Sequence, residues 1–293
     1  MDNSINILRM LSNDAQYYNV NGVRLAVFER PGTGPPILFV HATGFHARCW
    51  NQIVARIPGR RCTAVDMRGH GLSSKPDPPY YWHTFGEDVA ALARLLGLHG
   101  VTGAGHSMGG HSLVVAAGLA PGIFSDLLLI DPVILPRIAY MNRRWTEHFA
   151  RKRRNRWSTP DEMFDRFKDR PPFRDWDVAV LRDYCDYGLV PASDGDGYVL
   201  ACPPEIEGAI YEASGLDDAN LYGKFELVGV PVTVMRSATP LKIEPVMDMA
   251  ASPTAPDLAT HFPRGHDMTT PHSHFIPMED PGLIAGLLSS TQA

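Results

Sequence analysis

The chain has 293 residues, of which 44% are hydrophobic and 20% charged, a balance that excludes intrinsic disorder and indicates a folded globular protein. Its length suits one large α/β domain with an insertion, or two modest domains. The formal net charge of −5 gives nucleic-acid binding no overall electrostatic support.

The N-terminal Met1-Asp2-Asn3-Ser4 lacks a basic region ahead of an apolar core, and no apolar run reaches membrane-spanning length. The expectation is a cytoplasmic protein without a membrane partner. The four cysteines, Cys49, Cys62, Cys185 and Cys202, are widely spaced and form no Cys-x-x-Cys pair. They read as free thiols, and neither a metal nor an organic cofactor is expected.

Residues 1–15 form a polar lead-in with one short helix expected around Ile5 to Leu11. Gln16 to Val20 and Arg24 to Glu29 read as strands around an Asn21-Gly22 turn, a strong hairpin signal. Ile37-Leu38-Phe39-Val40 is a continuous apolar run of the kind buried on both faces of a sheet. It delivers the loop His41-Ala42-Thr43-Gly44-Phe45 and then a helix from about Ala47 to Ile57. Cys62 to Val65 is another buried strand, ending at Asp66-Met67-Arg68-Gly69-His70-Gly71-Leu72-Ser73. A helix from about Phe85 to Leu96 follows, then a short small-residue strand from Leu98 to Gly105. The buried helix containing Leu113 to Ala117 comes next, and a strand at Leu127 to Ile130 closes at Asp131-Pro132. Alternating strands and helices at this spacing predict βαβ units and a parallel sheet.

From about residue 133 to 220 the rhythm breaks. This stretch is rich in Arg, Trp, Asp and Pro, with helices expected near Ala139–Arg154, Pro160–Lys168, Asp177–Tyr187 and Pro204–Ser214. It reads as an inserted helical lid between core segments 1–132 and 221–293. Val230 to Met235 resumes the sheet, a last strand lies near Arg264 to Met268, and Pro281 to Ser289 is the closing helix.

The chemistry centres on Gly105-His106-Ser107-Met108-Gly109, a Gly-x-Ser-x-Gly between an expected strand and an expected helix. A serine at such a turn is exposed for attack, but its hydroxyl is a poor nucleophile without a base and an orienting carboxylate. Two N–H donors are also needed for the developing oxyanion. The residue after the nucleophile, Met108, supplies one. Thr43, in the loop after a buried strand, is the choice for the other. Among the 12 histidines, His274 sits in a loop just before the last helix and is preferred as the base over His266 in Gly265-His266-Asp267. No Asp lies within four residues of the end of the Val230–Met235 strand. The carboxylate therefore stays open among Asp131, Glu244 and Asp248, ranked in that order.

Four segments together resemble the α/β-hydrolase superfamily: His41-Ala42-Thr43-Gly44 with Trp50, Asp66 to Ser73, Gly105 to Gly110, and His274 to Pro281. The resemblance implies an α/β-hydrolase fold, a mostly parallel sheet flanked by helices, over about Val20 to Leu288. Three departures stand out. Ala42 replaces the glycine that usually follows the loop histidine, Ser273 replaces the glycine that usually precedes the base, and the usual acid after the seventh core strand is missing. Some relatives carry the acid after the sixth core strand, which matches Asp131. Ser107 at the elbow separates this chain from epoxide hydrolases and haloalkane dehalogenases, which carry Asp there.

The expected activity is serine hydrolysis of a carboxylic ester or lactone of a small, fairly apolar molecule, through Ser107, His274 and Asp131 with Thr43 and Met108 as the oxyanion hole. Carbon–carbon bond hydrolysis on the same residues, and a non-catalytic ligand-binding protein on this scaffold, are the alternatives; a homodimer is left open. In the insertion, Arg137, Arg143, Arg144, Arg151, Lys152, Arg153, Arg154 and Arg156 interleave with Trp145, Trp157 and Trp176. The expectation for them is a solvated basic face, ahead of a clamp for an acidic or aromatic substrate.

Overall fold

The computed structural model describes residues 10–141, 147–238 and 251–290. Its frame is an eight-stranded sheet. The strands are β1 (Gln16–Val20), β2 (Val23–Arg30), β3 (Gly34–Val40), β4 (Arg60–Asp66), β5 (Val101–His106), β6 (Phe124–Ile130), and two more from the C-terminal part. Of these last two, the strand Val232–Ser237 lies beside β6 and the strand Gly265–Thr270 at the edge. The spatial order is β1-β2-β4-β3-β5-β6, then Val232–Ser237 and Gly265–Thr270. β2 runs antiparallel to both its neighbours, and every other pairing is parallel.

Alternation along the apolar strands explains the layers. Leu38 and Val40 point to one face, where they pack with Phe85, Val89, Leu113 and Val114. Ile37 and Phe39 point to the other, with Trp50, Ile53, Ile130 and Ile284. The covering helices are α1 (Asn51–Arg56), α2 (Trp82–Leu95) and α3 (Met108–Leu119). On the way to α1, the expected helix from Ala47 begins instead as a 3₁₀ turn, Ala47–Trp50. The short helix expected at Ile5 to Leu11 lies largely outside the described residues.

Between Ile130 and Val232 the chain leaves the sheet and returns. The excursion holds α4 (Arg137–Met141), a 3₁₀ turn at Phe149–Lys152, β7 (Arg156–Trp157), α5 (Pro160–Phe167), α6 (Val178–Tyr187), β8 (Leu189–Pro191), β9 (Tyr198–Leu200) and α7 (Pro204–Ala213). The continuous helix expected over Ala139–Arg154 is corrected. α4 is described only to Met141 and Phe149–Lys152 is a 3₁₀ turn, with 142–146 outside the described residues. The excursion also contains a three-stranded antiparallel sheet, β7-β9-β8, absent from the helical reading. Its strands are only two or three residues long, too short for periodicity to show.

Helix starts in this region follow local chemistry. Thr159 caps α5 by accepting the N–H of Glu162 at 3.0 Å, and the Glu162 carboxylate accepts the N–H of Ser158 at 2.8 Å. Asp177 caps α6 through the N–H of Ala179 at 2.8 Å. Pro204 opens α7, where its missing N–H costs nothing.

After the excursion come β10 (Val232–Ser237), β11 (Gly265–Thr270), α8 (Ile276–Glu279) and α9 (Pro281–Ser290). Among the described residues, no helix is long and apolar enough to cross a membrane. All four cysteines are buried and unpaired with one another.

α2 and α3 approach closely at Gly86, where an added Cβ would sit 2.3 Å from Val115 Cβ and 2.9 Å from the Ser112 carbonyl oxygen. Gly86→Ala is therefore expected to destabilise by about 1–3 kcal/mol through overpacking, against the ~1 kcal/mol that alanine gains in an exposed helix. Denaturant unfolding checks the sign: a stabilised Gly86→Ala protein contradicts the close packing of the two helices.

Candidate active site

The register of the parallel strands brings three chain segments to one edge. His106 of β5 pairs with Ile130 of β6, and Ile130 with Met235 of β10. Ser107 and Asp131, the next residues of β5 and β6, therefore emerge side by side. β11 continues past Thr270 into the loop that carries His274.

Ser107 takes φ 57° and ψ −117°, a conformation costly for an L-residue. It is held there from both sides. Its N–H donates to the Ile130 carbonyl at 3.0 Å, and its carbonyl accepts from Gly110 at 3.1 Å and Val133 at 3.2 Å. The turn is so tight that a Cβ on Gly109 would lie 2.1 Å from the Val40 carbonyl oxygen, so α3 can start there only with glycine.

His274 bridges the other two residues. Its Nδ1 lies 2.6 Å from Asp131 Oδ2 and its Nε2 lies 3.1 Å from Ser107 Oγ. An ionised carboxylate only accepts, so Nδ1–H donates to Asp131, and in the neutral ring Nε2 is left to accept the Ser107 hydroxyl proton. Ser107, His274 and Asp131 are all buried. Asp131, at φ 42°, uses its second oxygen as well: Oδ1 accepts from the Ser237 N–H at 3.1 Å and from the Ser252 hydroxyl at 2.6 Å. Thus Ser107, His274 and Asp131 come together. The alternative base His266 sits on β11, exposed. The alternative acids Glu244 and Asp248 lie outside the described residues.

Thr43 and Met108 are neighbours. Thr43 Oγ1 lies 3.4 Å from Met108 Sδ. Met108 is the first residue of α3, where a backbone N–H has no partner within the helix. The loop bearing Thr43 is fixed by two buried histidines. His70 Nε2 accepts the Gly44 N–H at 3.0 Å, and His41 Nε2 accepts the Met67 N–H at 3.0 Å. Asp66 ties the same region together by accepting from the N–H groups of Ala47 at 2.7 Å and Leu72 at 2.8 Å. The residues 66–73 are thereby a brace for the Thr43 loop. A third histidine, His106, donates from Nε2 to the His274 carbonyl at 2.9 Å. The sequence marks His106 only by adjacency to Ser107, and no sequence signal marks Ser252.

The excursion packs over this edge. Phe45, from the Thr43 loop, and Phe275, beside His274, share an apolar cluster with Trp157, Trp176, Val180, Leu181 and Tyr184. Phe45 stands 5.7 Å from the Trp176 ring and Trp176 5.3 Å from Phe275.

The basic face expected of the excursion is solvated at Lys152, Arg154 and Arg156, and its arginines carry ion pairs. Arg151 meets Glu212 and Glu205, Arg153 meets Glu207, Arg154 meets Glu162, and Arg156 meets Asp194. Arg154 also stacks on the Trp157 ring at 4.2 Å. Carboxylates spread through the later part of the excursion neutralise the arginines, a pattern that counting basic residues in one stretch does not reveal. Arg143, Arg144 and Trp145 lie outside the described residues. Among the described residues no group of three or more His, Cys, Asp or Glu could hold a metal ion.

The profile of the Alpha/beta hydrolase family matches residues 37–286, and the chain belongs to that family. Among curated relatives, 2-(acetamidomethylene)succinate hydrolase of Mesorhizobium japonicum is 34% identical over 114 residues, 39% of this chain and 41% of that one. An esterase of Mycobacterium tuberculosis is 31% identical over 101 residues, 34% of each chain. The chain thus spans well under half the length of these relatives. The crystal structure of E-2-(acetamidomethylene)succinate hydrolase superposes with a TM-score of 0.73 at 22% identity, covering 94% of this chain and 97% of that one. At that identity the likeness concerns the fold.

Burial holds several histidines neutral. It pulls His46 and His70 down to about 4 and His111 to about 3, and sets His41 and His106 well below the ordinary value. The unfolded chain takes up these protons near pH 6.5, whereas the folded chain does not until near 4 or below. Stability is therefore lost progressively as the pH falls from about 6.5 to about 4. Burial raises Asp66 and Asp183 to about 6, which works in the opposite direction over part of that range. Burial raises Asp88 and Glu207 as well, while hydrogen-bond partners lower Glu162, Asp194 and Glu212, so five histidines against four raised carboxylates leave a net loss. The thermal midpoint is expected to drop between pH 7 and pH 4.5; a flat or rising midpoint contradicts neutral burial of these rings.

Proposed function

We propose that this α/β hydrolase is a serine hydrolase that cleaves a carboxylic ester or lactone of a small, fairly apolar molecule. The observation that carries the reading is the unbroken hydrogen-bonded line from Ser107 Oγ through His274 to Asp131 Oδ2. In this reading the Ser107 hydroxyl attacks the substrate carbonyl while His274 Nε2 takes its proton. The tetrahedral oxyanion is held by the N–H groups of Thr43 and Met108. His274, with Asp131 steadying its imidazolium, returns the proton to the leaving oxygen. Water, activated by the same histidine, then releases the acid from the acyl-enzyme.

The excursion over residues 133–220 serves as a lid. Its aromatic side chains, with Phe45 and Phe275, favour an apolar substrate body. The paired arginines speak against a general clamp for acidic substrates. A second reading, cleavage of an acyl–nitrogen bond by the same steps, is favoured by the relative named for hydrolysis of an acetamido compound.

A p-nitrophenyl ester series of increasing acyl length, run beside an N-acetyl enamine, tests both readings. Ser107→Ala and His274→Ala should lower kcat by at least about 10⁴-fold, and Asp131→Asn by about 10³–10⁴-fold. Labelling by a fluorophosphonate probe should vanish in Ser107→Ala. A wild-type protein that neither turns over these substrates nor takes up the probe would overturn the reading.

A further inference from the structure

Asp131 is held by groups that lie far along the chain. Ser252 Oγ is 2.6 Å from Asp131 Oδ1, on the carboxylate oxygen that faces away from His274. The direction of the Ser252 hydroxyl proton is set by its neighbour. The Thr254 N–H donates to Ser252 Oγ at 3.3 Å, so the serine proton is left to point at Asp131. The chain of donors runs Thr254 N–H to Ser252 O–H to the carboxylate, each bond polarising the next. Thr254 has one hydroxyl proton, and its shorter contact is to the Pro132 carbonyl at 2.7 Å, against 3.2 Å to Asp131 Oδ1. It therefore fastens the backbone next to Asp131, whose φ of 42° needs such support. Ser252 and Thr254 are both buried.

We propose that Ser252 is a positioning residue for the acid: its hydroxyl fixes the rotation of the Asp131 carboxylate so that Oδ2 is aimed at His274 Nδ1. The proposal rests on the serine-hydrolase reading above. It also accounts for the missing carboxylate after β10. The segment that follows this strand supplies the hydroxyl that holds a carboxylate delivered by β6, with the Ser237 N–H at the strand end as the second donor.

The test is Ser252→Ala, with Ser252→Cys as a near-isosteric weak donor and Ser252→Thr as the conservative variant that keeps the hydroxyl. Steady-state kinetics on the best p-nitrophenyl ester should show kcat down about tenfold in Ser252→Ala, the loss of one hydrogen bond to a charged group, with KM unchanged. Ser252→Cys should fall between, and Ser252→Thr should restore most of the rate. In the Asp131→Asn background, Ser252→Ala should cost little further, because its effect passes through the carboxylate. The substrate-free readout is the strongly downfield proton resonance of the His274–Asp131 hydrogen bond, identified by its loss in His274→Ala. It should shift or broaden in Ser252→Ala and return in Ser252→Thr. Wild-type kcat together with an unmoved resonance in a folded Ser252→Ala protein would overturn the proposal, as would full additivity with Asp131→Asn. If the wild type is inert toward esters and fluorophosphonate, the hydrolase reading fails by itself, and the resonance still decides whether Ser252 aims Asp131 at His274.

Discussion

A serine forced into a backbone conformation that L-residues avoid is the constraint on which the rest of this structure depends. Ser107 can stand at φ 57° only because strand β6 receives its N–H, the first turn of α3 receives its carbonyl, and glycine at 109 lets that turn press against the end of β3. Each requirement is met by a part of the sheet. The parallel register, the buried apolar strands and the largely apolar, buried helix α3 are what make a one-residue strain tolerable. In return, the hydroxyl is presented at the strand edge where the neighbouring β6 delivers its carboxylate.

The surroundings are organised by neutral histidines as much as by charge. His41 and His70 accept backbone N–H groups that steady the Thr43 loop, and His106 ties the strand before Ser107 to the backbone of His274. The accepting rings of His41 and His70 must stay uncharged, and burial favours the neutral form of all three. The insertion's charges follow a different logic. Arg151, Arg153, Arg154 and Arg156 are paired with carboxylates, and the insertion packs against the strand edge with an apolar, aromatic cluster.

Much of this was legible in the sequence because it rests on local pattern. Continuous apolar runs at Ile37–Val40 and Leu127–Ile130 mark strands buried on both faces, and Gly105-x-Ser107-x-Gly109 between strand and helix marks the elbow. Asp131 and His274 were legible as candidates by position at strand and loop ends, but not as partners, since their pairing is set by sheet register across 143 residues. The small sheet of β7, β8 and β9 was not legible, because two- and three-residue strands carry no period. Nor were the arginine pairs, whose carboxylates lie up to 61 residues away in the chain. Ser252 was invisible for the same reason: a single serine has no local signature, and its meaning comes from Asp131.

The distribution of Asp131's partners along the chain also bears on how the protein is made. Ser237, Ser252 and His274 lie 106, 121 and 143 residues downstream of it, beyond the whole insertion. During synthesis Ser107 and Asp131 emerge early, while Ser237, Ser252 and His274 emerge last. Closing so long a loop precedes any reward from these contacts, so the strand edge stays chemically unassembled until β10 and β11 dock. A chain interrupted in the insertion would carry Ser107 and Asp131 without the histidine that hydrogen-bonds to both.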